Sequence, residues 1–189
     1  NQMGLFSFVK DTGCTTISLV PSLVCMLARQ CQERHEVPLR LRVVFSGAAP
    51  MSACLQESLA RQIGAAVHQG FGTSETLVTT ISAETEERNM RGVACGSVGK
   101  PVSGCELRVR ITRSESDNEH DDFSCVDSVA CARDLTEREG ELLVSGPQMF
   151  DGYHNNDDAT KDSFVFVDGK RFYVTGDIVR VDRHGNVHV

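Results

Sequence analysis

The stretch Gln69-Gly70-Phe71-Gly72-Thr73-Ser74-Glu75-Thr76, together with the segment that leads into it, decides the predicted fold of this 189-residue chain. Glycine lets a backbone approach a ligand closely because it has no Cβ, and Phe71 offers a flat face on which a purine can stack. Thr73 and Ser74 can donate hydrogen bonds to phosphate oxygens, and Glu75 is a hard oxygen ligand for a phosphate-bound Mg²⁺. The octet alone is equally compatible with a polar turn after a strand, since short glycine motifs need context.

The segment before the octet has the order strand, loop, helix and strand. Residues 43–50, Val-Val-Phe-Ser-Gly-Ala-Ala-Pro, are a short apolar run that ends in small residues. Leu55, Leu59 and Ile63 then recur at helical spacing and predict one buried face, with Ser52 as the N-cap. A second short apolar run leads into the octet, so the pattern predicts two neighbouring strands of a parallel α/β sheet.

Two loops are expected at the carboxyl ends of these strands, where α/β proteins bind their ligands. The loop of residues 47–50 carries no large side chain, so its backbone could contact the edge of a purine. The loop of residues 69–75 would carry the aromatic ring and the phosphate ligands. We therefore expect both loops to lie side by side and to share one ligand.

The elements upstream extend the same subdomain. Residues 15–20 are rich in β-branched side chains and predict a strand, and Pro21 suits the first position of the next helix. One apolar face of that helix is predicted from helical spacing: Val24, Leu27, Ala28 and Cys31. Residues 1–82 are therefore predicted to form part of an α/β nucleotide-binding subdomain built on a parallel sheet.

The second half of the chain predicts short strands and turns. Residues 83–95 are polar and predict a connection, and residues 96–189 predict a small β-rich subdomain, a distorted barrel. Its expected strands lie at residues 106–111, 141–144, 172–175, 177–181 and 186–189, and residues 182–185 predict a hairpin turn.

The acidic segment 112–139 interrupts this β-rich subdomain. An EF-hand loop needs Gly at about the sixth and Glu at about the twelfth position, but counting from Asp117 these positions hold Asp122 and Ser128. We therefore interpret the segment as a solvated surface insertion.

Charge and composition exclude several classes of protein. A net charge of −7 and a pI of about 5.3 argue against a nucleic-acid or anionic-membrane binder, and no apolar run approaches the ~20 residues of a membrane span. The eight cysteines form no C-x-x-C pair, so free thiols in a reducing intracellular compartment, cytoplasmic or peroxisomal, are favoured over disulfides. Because the chain opens in a predicted helix and closes in a predicted strand, we interpret it as an internal fragment of a longer protein.

Four segments resemble motifs of the adenylate-forming (AMP-binding) acyl-CoA synthetase superfamily, which includes fatty acyl-CoA synthetases, 4-coumarate–CoA ligases, luciferases and peptide-synthetase adenylation domains. Residues 46–50 resemble its S-G-A-A-P segment, and residues 70–75 resemble its G-Y-G-x-T-E motif. Residues 140–153 resemble its G-E-L and G-Y motif, and residues 173–180 resemble Y-x-T-G-D-x-x-R. The motifs occur in the family's order, so the chain resembles a fragment of a larger adenylation domain.

This resemblance implies a role for each matching residue. Phe71 would stack on adenine in place of the usual Tyr, and Ser74 would bind the α-phosphate in place of the usual Thr. Glu75 would hold Mg²⁺, and Asp177 would hold the ribose diol, although in isolation Asp177 is more simply a turn carboxylate that caps backbone N–H groups. The other implied contacts are Gly47, Ala48 and Ala49 along the adenine, Gln69, Gly70, Gly72 and Thr73 around the nucleotide, and Leu77 and Val78 beside the acyl chain.

The implied activity is that of an ATP-dependent acid–thiol ligase, which joins a small-molecule carboxylic acid to coenzyme A through an acyl-adenylate. Its cofactors would be ATP/AMP and Mg²⁺, with Ser74 and Glu75 as catalytic residues, because positioning and charge neutralisation supply most of the catalysis of phosphoryl-group chemistry. The family's phosphate loop and C-terminal catalytic Lys are not among these residues, so the fragment alone is expected to be inactive. Two alternatives stay open: an adenylation domain that loads a carrier protein, and a non-catalytic paralogue that acts as a binding module.

Overall fold

A computed structural model of the chain describes residues 4–38, 40–82, 95–111, 122–126 and 138–189. The chain divides into two compact units, which we call the first unit (Asn1–Phe71 with Ser82–Val98) and the second unit (Gly72–Ile81 with Gly99–Val189). Of the predicted connection 83–95 only Cys95 is described, and of the predicted insertion 112–139 only residues 122–126, 138 and 139 are described. The subdomain boundaries predicted from sequence stay a prediction.

The first unit alternates helices and strands, as an α/β fold requires. Its elements are α1 (Leu5–Thr12), β1 (Thr16–Leu19), α2 (Pro21–Arg34), β2 (Val43–Ser46), α3 (Ala53–Ile63) and β3 (Ala66–Thr73), the last of which continues into the second unit. Strand β2 pairs in parallel with β1 on one side and with β3 on the other. The α/β fold class with a parallel sheet is therefore confirmed.

Within the described residues, no helix combines the length and apolarity needed to cross a membrane.

Helix α2 forms as its sequence predicts. Pro21 occupies the first turn, where its missing N–H costs no hydrogen bond. The predicted apolar face is buried throughout: Val24, Leu27, Ala28 and Cys31. These side chains join Phe6 and Val9 of α1 in the core of the first unit.

Helix α3 departs from the prediction at one position. Ser52 caps the helix as expected, because its hydroxyl accepts a hydrogen bond of 3.4 Å from the backbone N–H of Leu55. Leu59 and Ile63 are buried, but the predicted burial of Leu55 is wrong, since its side chain is 40% exposed. The neighbouring Gln56 is buried instead, which apolar periodicity could not reveal because a polar side chain fills the position.

The octet also differs from its prediction as a loop. Strand β3 runs through Thr73, so most of the octet is strand and only its end is a turn. Gln69 lies opposite Ser46 of β2. Its N–H donates to the hydroxyl of Ser82 at 2.7 Å and its carbonyl accepts from the Ser82 N–H at 2.8 Å, and these partners let the backbone remain extended.

A buried pair of amides connects α3, β3 and the residue that follows the 47–50 loop. The Gln69 side chain accepts from the N–H of Met51 at 2.7 Å and donates to the Met51 carbonyl at 2.9 Å. It also donates to the Gln56 oxygen at 2.8 Å, while the Gln56 nitrogen donates to the Val67 carbonyl at 2.7 Å. The N–H of Gly96 donates to the same Gln56 oxygen at 2.9 Å. Each amide therefore satisfies buried backbone groups, and together they fix the end of the 47–50 loop against β3.

The second unit is mostly antiparallel β structure. Its elements are β4 (Leu77–Ile81), β5 (Lys100–Pro101), β6 (Glu106–Ile111), β7 (Asp122–Val126), β8 (Arg138–Ser145), α4 (Asp157–Asp162), β9 (Phe164–Val167), β10 (Lys170–Val181) and β11 (Val187–His188). The large sheet has the order β11-β10-β8-β6-β7, with β9 on β10, and it is curled into a half-barrel. The predicted β-rich, barrel-like subdomain is confirmed, and β7 lies within the segment predicted as a surface insertion.

The C-terminal strands differ from their predicted form in one respect. The sequence predicts two strands at residues 172–175 and 177–181, but β10 is one strand with a bulge between them. The hairpin to β11 forms as predicted, with Arg180 opposite His188.

We expect Gln56→Leu to destabilise the protein by about 2–3 kcal/mol, because it removes the hydrogen bonds that Gln56 makes to the buried Val67 carbonyl and to the buried Gln69 amide. Urea unfolding of the complete protein measures the change. Gln62→Leu is the matched control on the same helix, since Gln62 is only half-buried and bonds to Ser58 at 2.9 Å. That control should cost no more than about 0.5 kcal/mol, and equal losses in both variants would contradict the role of Gln56.

Candidate functional site

The turn after β3 is held together by two threonines. The N–H of Thr73 donates to the Thr76 hydroxyl at 3.2 Å, and the two hydroxyl oxygens lie 3.0 Å apart. The N–H of Thr76 donates back to the Thr73 carbonyl at 3.4 Å, and the N–H of Glu75 donates to the Thr73 hydroxyl at 3.2 Å. Thr76 is fully buried. The hydrogen bonds between Thr73 and Thr76 therefore fix the direction in which residues 74 and 75 project.

Gly72 is required by the same turn. An ideal Cβ at position 72 would lie 1.8 Å from the carbonyl oxygen of Leu77 and 2.6 Å from its carbonyl carbon. Leu77 itself has a left-handed backbone with φ of 52°, a conformation that costs a non-glycine residue about 1 kcal/mol. This backbone approach explains the second glycine of the motif as a steric requirement of the chain, independent of a ligand.

Leu77 and Val78 are unusually exposed for apolar residues. Their exposed fractions are 61% and 53%, whereas Thr79 and Thr80, which follow on the same strand, are fully buried. The turn therefore places two apolar side chains where an apolar group could contact them, as predicted for the border of an acyl pocket. That role stays a prediction.

Glu75 is held by both its main chain and its side chain. Its carbonyl accepts from the N–H of Phe150 at 2.8 Å, and its carboxylate Oε1 accepts from the hydroxyl of Tyr153 at 2.9 Å. Partial burial alone would raise the pKa of Glu75, but hydrogen bonds from its own N–H, Tyr153, Thr73 and Tyr173 outweigh it and lower the pKa below its ordinary value. The carboxyl is therefore ionised at neutral pH. The preceding Ser74 is exposed, so its hydroxyl can reach a ligand.

An ionised carboxylate in this position fits Mg²⁺. Magnesium is usually bound by one or two carboxylates together with water and substrate phosphates. Among the residues that the structure describes, no group of three or more His, Cys, Asp or Glu side chains gathers into a metal site. The role of Glu75 as a ligand of a phosphate-bound Mg²⁺ stays a prediction.

In the first unit, the 47–50 loop lies beside β3, as the sequence predicts. Gly47 follows directly after the pairing of Ser46 with Gln69, and an ideal Cβ on Gly47 would lie 3.6 Å from the carbonyl oxygen of Gly70. Ala48 has a left-handed backbone with φ of 70°. Ala48 and Ala49 are both exposed, so the backbone of this loop is accessible. The purine contact proposed for it stays a prediction.

The side chain of Gln69 is buried in the core of the first unit. It is 2% exposed, and its amide is engaged by Met51 and Gln56. It therefore supports the 47–50 loop from within the core, while Gly70 and the half-buried Phe71 follow it along the strand.

Asp177 lies on the β10 bulge. Val174 pairs with Leu143 and Ile178 pairs with Glu141, so two extra residues enter β10 between these pairs. The Thr175 hydroxyl fastens the bulge, since it donates to the Leu142 carbonyl at 2.8 Å and accepts from the Asp177 N–H at 3.1 Å. Bulges re-aim side chains and are frequent beside active sites.

The residue before Asp177 has open space around it. Gly176 has φ of 76°, and an ideal Cβ there would meet no atom within 4 Å. Burial raises the pKa of Asp177, because it disfavours the charged carboxylate. Because Asp177 is in the second unit and Phe71 is in the first, their convergence on one ligand stays a prediction.

Two residues of this arrangement were missed from sequence. Thr76 was not singled out, although the spacing Thr73-x-x-Thr76 brackets the turn and could have suggested the mutual hydrogen bonds. Tyr153 was noted only as part of the G-Y motif, and no local pattern indicates its partner because Glu75 lies 78 residues away.

Comparison with known proteins gives a consistent result at the sequence level. The family model described as AMP-binding enzyme matches residues 2–154. The chain is 30% identical over 187 residues to 2-succinylbenzoate–CoA ligase of Bacillus cytotoxicus, covering 96% of this chain and 32% of that protein. It is 29% identical over 177 residues to 4-coumarate–CoA ligase 2 of Oryza sativa subsp. japonica, covering 93% of this chain and 28% of that protein. The chain thus spans about a third of the length of the curated relatives it matches.

Solved structures show the same architecture. A long-chain-fatty-acid–CoA ligase from Archaeoglobus fulgidus superposes with a TM-score of 0.79 at 21% identity, covering all of this chain and 36% of that one. The ATP-bound MatB from Rhodopseudomonas palustris superposes with a TM-score of 0.70 at 26% identity, covering 96% of this chain and 32% of that one. The first likeness, at its low identity, is one of fold alone.

We expect Gly72→Ala to destabilise the protein by about 3 kcal/mol and to distort the turn, because the added methyl meets the Leu77 backbone rather than a movable side chain. Gly169→Ala is the control: Gly169 also occupies a tight turn, with φ of 76°, but its Cβ would meet nothing within 4 Å. Strain alone should cost that variant about 1 kcal/mol. Thermal unfolding of both variants measures the difference, and a Gly72→Ala protein as stable as Gly169→Ala would contradict the steric account.

Proposed function

The chain belongs to the AMP-binding enzyme family, and from this premise we propose that it is part of an ATP-dependent ligase that activates a carboxylic acid as an acyl-adenylate and transfers the acyl group to the thiol of coenzyme A. The similar proteins named above are CoA ligases. Since the chain spans about a third of those proteins, the activity is proposed for the complete protein.

The turn at residues 72–77 is the observation that carries this proposal. It holds an ionised Glu75 in a fixed direction and leaves the Ser74 hydroxyl exposed. An anionic carboxylate attacking a phosphate ester needs its charge offset and its atoms aligned. Ser74 would donate to the α-phosphate, and Glu75 would hold Mg²⁺, which when bound neutralises phosphate charge.

The other predicted contacts complete the substrate sites. Phe71 would stack on the adenine, whose edge would face the backbone of residues 47–49. Asp177 would accept hydrogen bonds from the two ribose hydroxyls, which would offset the cost of burying its charged form. Leu77 and Val78 would line the acyl chain, and Thr73 would act mainly by shaping the turn, because its hydroxyl is already engaged.

The reaction would proceed in two displacements. An oxygen of the acid bonds to the α-phosphorus of ATP as the bond to the β-phosphate oxygen breaks, which gives acyl-AMP and pyrophosphate. The coenzyme A thiol, losing its proton, then attacks the acyl carbonyl and AMP leaves with the bonding electron pair. We further propose a reducing compartment, cytoplasmic or peroxisomal, since six cysteines whose side chains the structure describes are free thiols: Cys14, Cys25, Cys31, Cys54, Cys95 and Cys105.

Pyrophosphate release from ATP by the complete protein, assayed with a panel of aromatic and aliphatic carboxylic acids, tests this function. Acid-dependent release followed by coenzyme A-dependent AMP formation is the expected result. Acid-dependent release without coenzyme A turnover would favour a carrier protein as acceptor, and ATP binding without release for any acid would favour the binding module.

We expect Asp177→Asn to weaken ATP binding about tenfold or more without lowering the melting temperature. Loss of a charge-assisted hydrogen bond costs about 1.5–3 kcal/mol. Because the folded-state pKa of Asp177 is raised by burial, its ionised form costs stability at pH values above the ordinary carboxyl pKa, and neutralisation removes that cost. Calorimetric titration with ATP and thermal unfolding give the two readouts.

Asp162→Asn provides the control, since Asp162 is an exposed carboxylate on α4. It should change neither affinity nor melting temperature. Unchanged ATP affinity in Asp177→Asn, or a fall in its melting temperature, would contradict a ligand-directed Asp177.

A further inference from the structure

We infer that Tyr153 is a positioning residue for Glu75: its hydroxyl fixes the direction of the carboxylate that would receive the divalent cation of the metal–ATP complex. The inference rests on the proposed function, since it assumes a nucleotide-bound cation at Glu75. It assigns a task to the Tyr of the G-Y motif, which the reaction steps above do not use.

The segment 150–153 holds Glu75 at two points. The Phe150 N–H fixes the Glu75 carbonyl at 2.8 Å, and the Tyr153 hydroxyl fixes carboxylate Oε1 at 2.9 Å. The N–H of Glu75 is fixed separately by the Thr73 hydroxyl at 3.2 Å. With the main chain secured from both sides, the direction of the side chain is the remaining variable. Tyr153 is the first of the side chains that constrain it, ahead of Thr73 and Tyr173.

Tyr153 is itself held in place through its backbone and its ring. Its N–H donates to the Thr160 hydroxyl at 2.9 Å, and that hydroxyl donates to the Asn156 carbonyl at 2.8 Å. An ideal Cβ on Gly152 would lie 2.5 Å from Cγ2 of Thr160, so a glycine before the tyrosine lets the backbone approach α4. The Tyr153 ring also meets the Phe150 ring edge-on, with centroids 4.9 Å apart and an interplanar angle of 70°.

Such a hydrogen bond orients a carboxylate without occupying it fully. An ionised carboxylate offers about four lone-pair sites, so the Tyr153 hydroxyl, which takes one site on Oε1, does not by itself exclude a cation. Partners that orient metal-binding carboxylates change metal affinity or activity by about 10–100-fold when removed. Phe at this position would keep the ring contact with Phe150. It would lose the hydroxyl, and with it the bond to Glu75 and the interaction with Tyr173.

Binding of Mn²⁺ to the complex of the complete protein with ATP, followed by electron paramagnetic resonance, tests this inference without relying on turnover. We expect Tyr153→Phe to weaken Mn²⁺ binding about tenfold, with metal-free ATP affinity and melting temperature close to those of the original protein. In a Glu75→Ala background the same change should have no further effect, because the group it orients is gone. In kinetic assays the variant should need about tenfold more Mg²⁺ while keeping its rate at saturating Mg²⁺.

The inference is overturned if Tyr153→Phe binds Mn²⁺ as tightly as the original protein, if it loses metal-free ATP binding to the same degree, or if the effect persists with Glu75→Ala. A protein that releases no pyrophosphate with any acid, yet shows the Tyr153 effect on Mn²⁺, would refute the proposed function and support the positioning role. A protein that binds no Mn²⁺ together with ATP would overturn both.

Discussion

The turn after β3 depends on the close approach of the Gly72 backbone to the carbonyl of Leu77, which leaves no room for even a methyl group on residue 72. This approach lets β3 end in a turn tight enough for Thr73 and Thr76 to bond to each other. The turn in turn sets the position of Glu75, the exposure of Ser74 and the projection of Leu77 and Val78. A motif that first suggested ligand contacts is therefore, in large part, a backbone requirement.

A second constraint operates in the first unit through buried amides. Gln69 lies on β3, yet its side chain points into the core and bonds to Met51, which follows the 47–50 loop. Gln56 joins the same cluster and brings in Gly96. Polar groups buried in this way stabilise only when all are paired, which the short distances here achieve. Local rigidity at the loop and at the turn thus comes from hydrogen bonds as much as from apolar packing.

Much of the fold could be predicted from sequence. Along α2, β6 and the β10–β11 hairpin, the spacing of apolar residues agrees with the proline and turn residues that bound these elements. The prediction was wrong for Leu55, because the buried position on that face of α3 is filled by a polar residue whose partners lie on β3 and at Gly96. It was also wrong in reading residues 69–75 as a loop, since glycines that serve close backbone approach look the same in sequence as glycines that serve a turn. The bulge at Asp177 and the bond between Tyr153 and Glu75 depend on pairing over long chain distances, which no local pattern encodes.

A crystal structure of the complete protein with Mg²⁺ and a non-hydrolysable ATP analogue would test directly whether the turn at residues 72–77 binds the metal and the phosphates. We expect Mg²⁺ about 2.1 Å from a Glu75 carboxylate oxygen and the Ser74 hydroxyl on the α-phosphate. We also expect the adenine against Phe71 and both ribose hydroxyls on Asp177. A nucleotide bound elsewhere, or bound with Glu75 and Asp177 both turned away from it, would contradict the account.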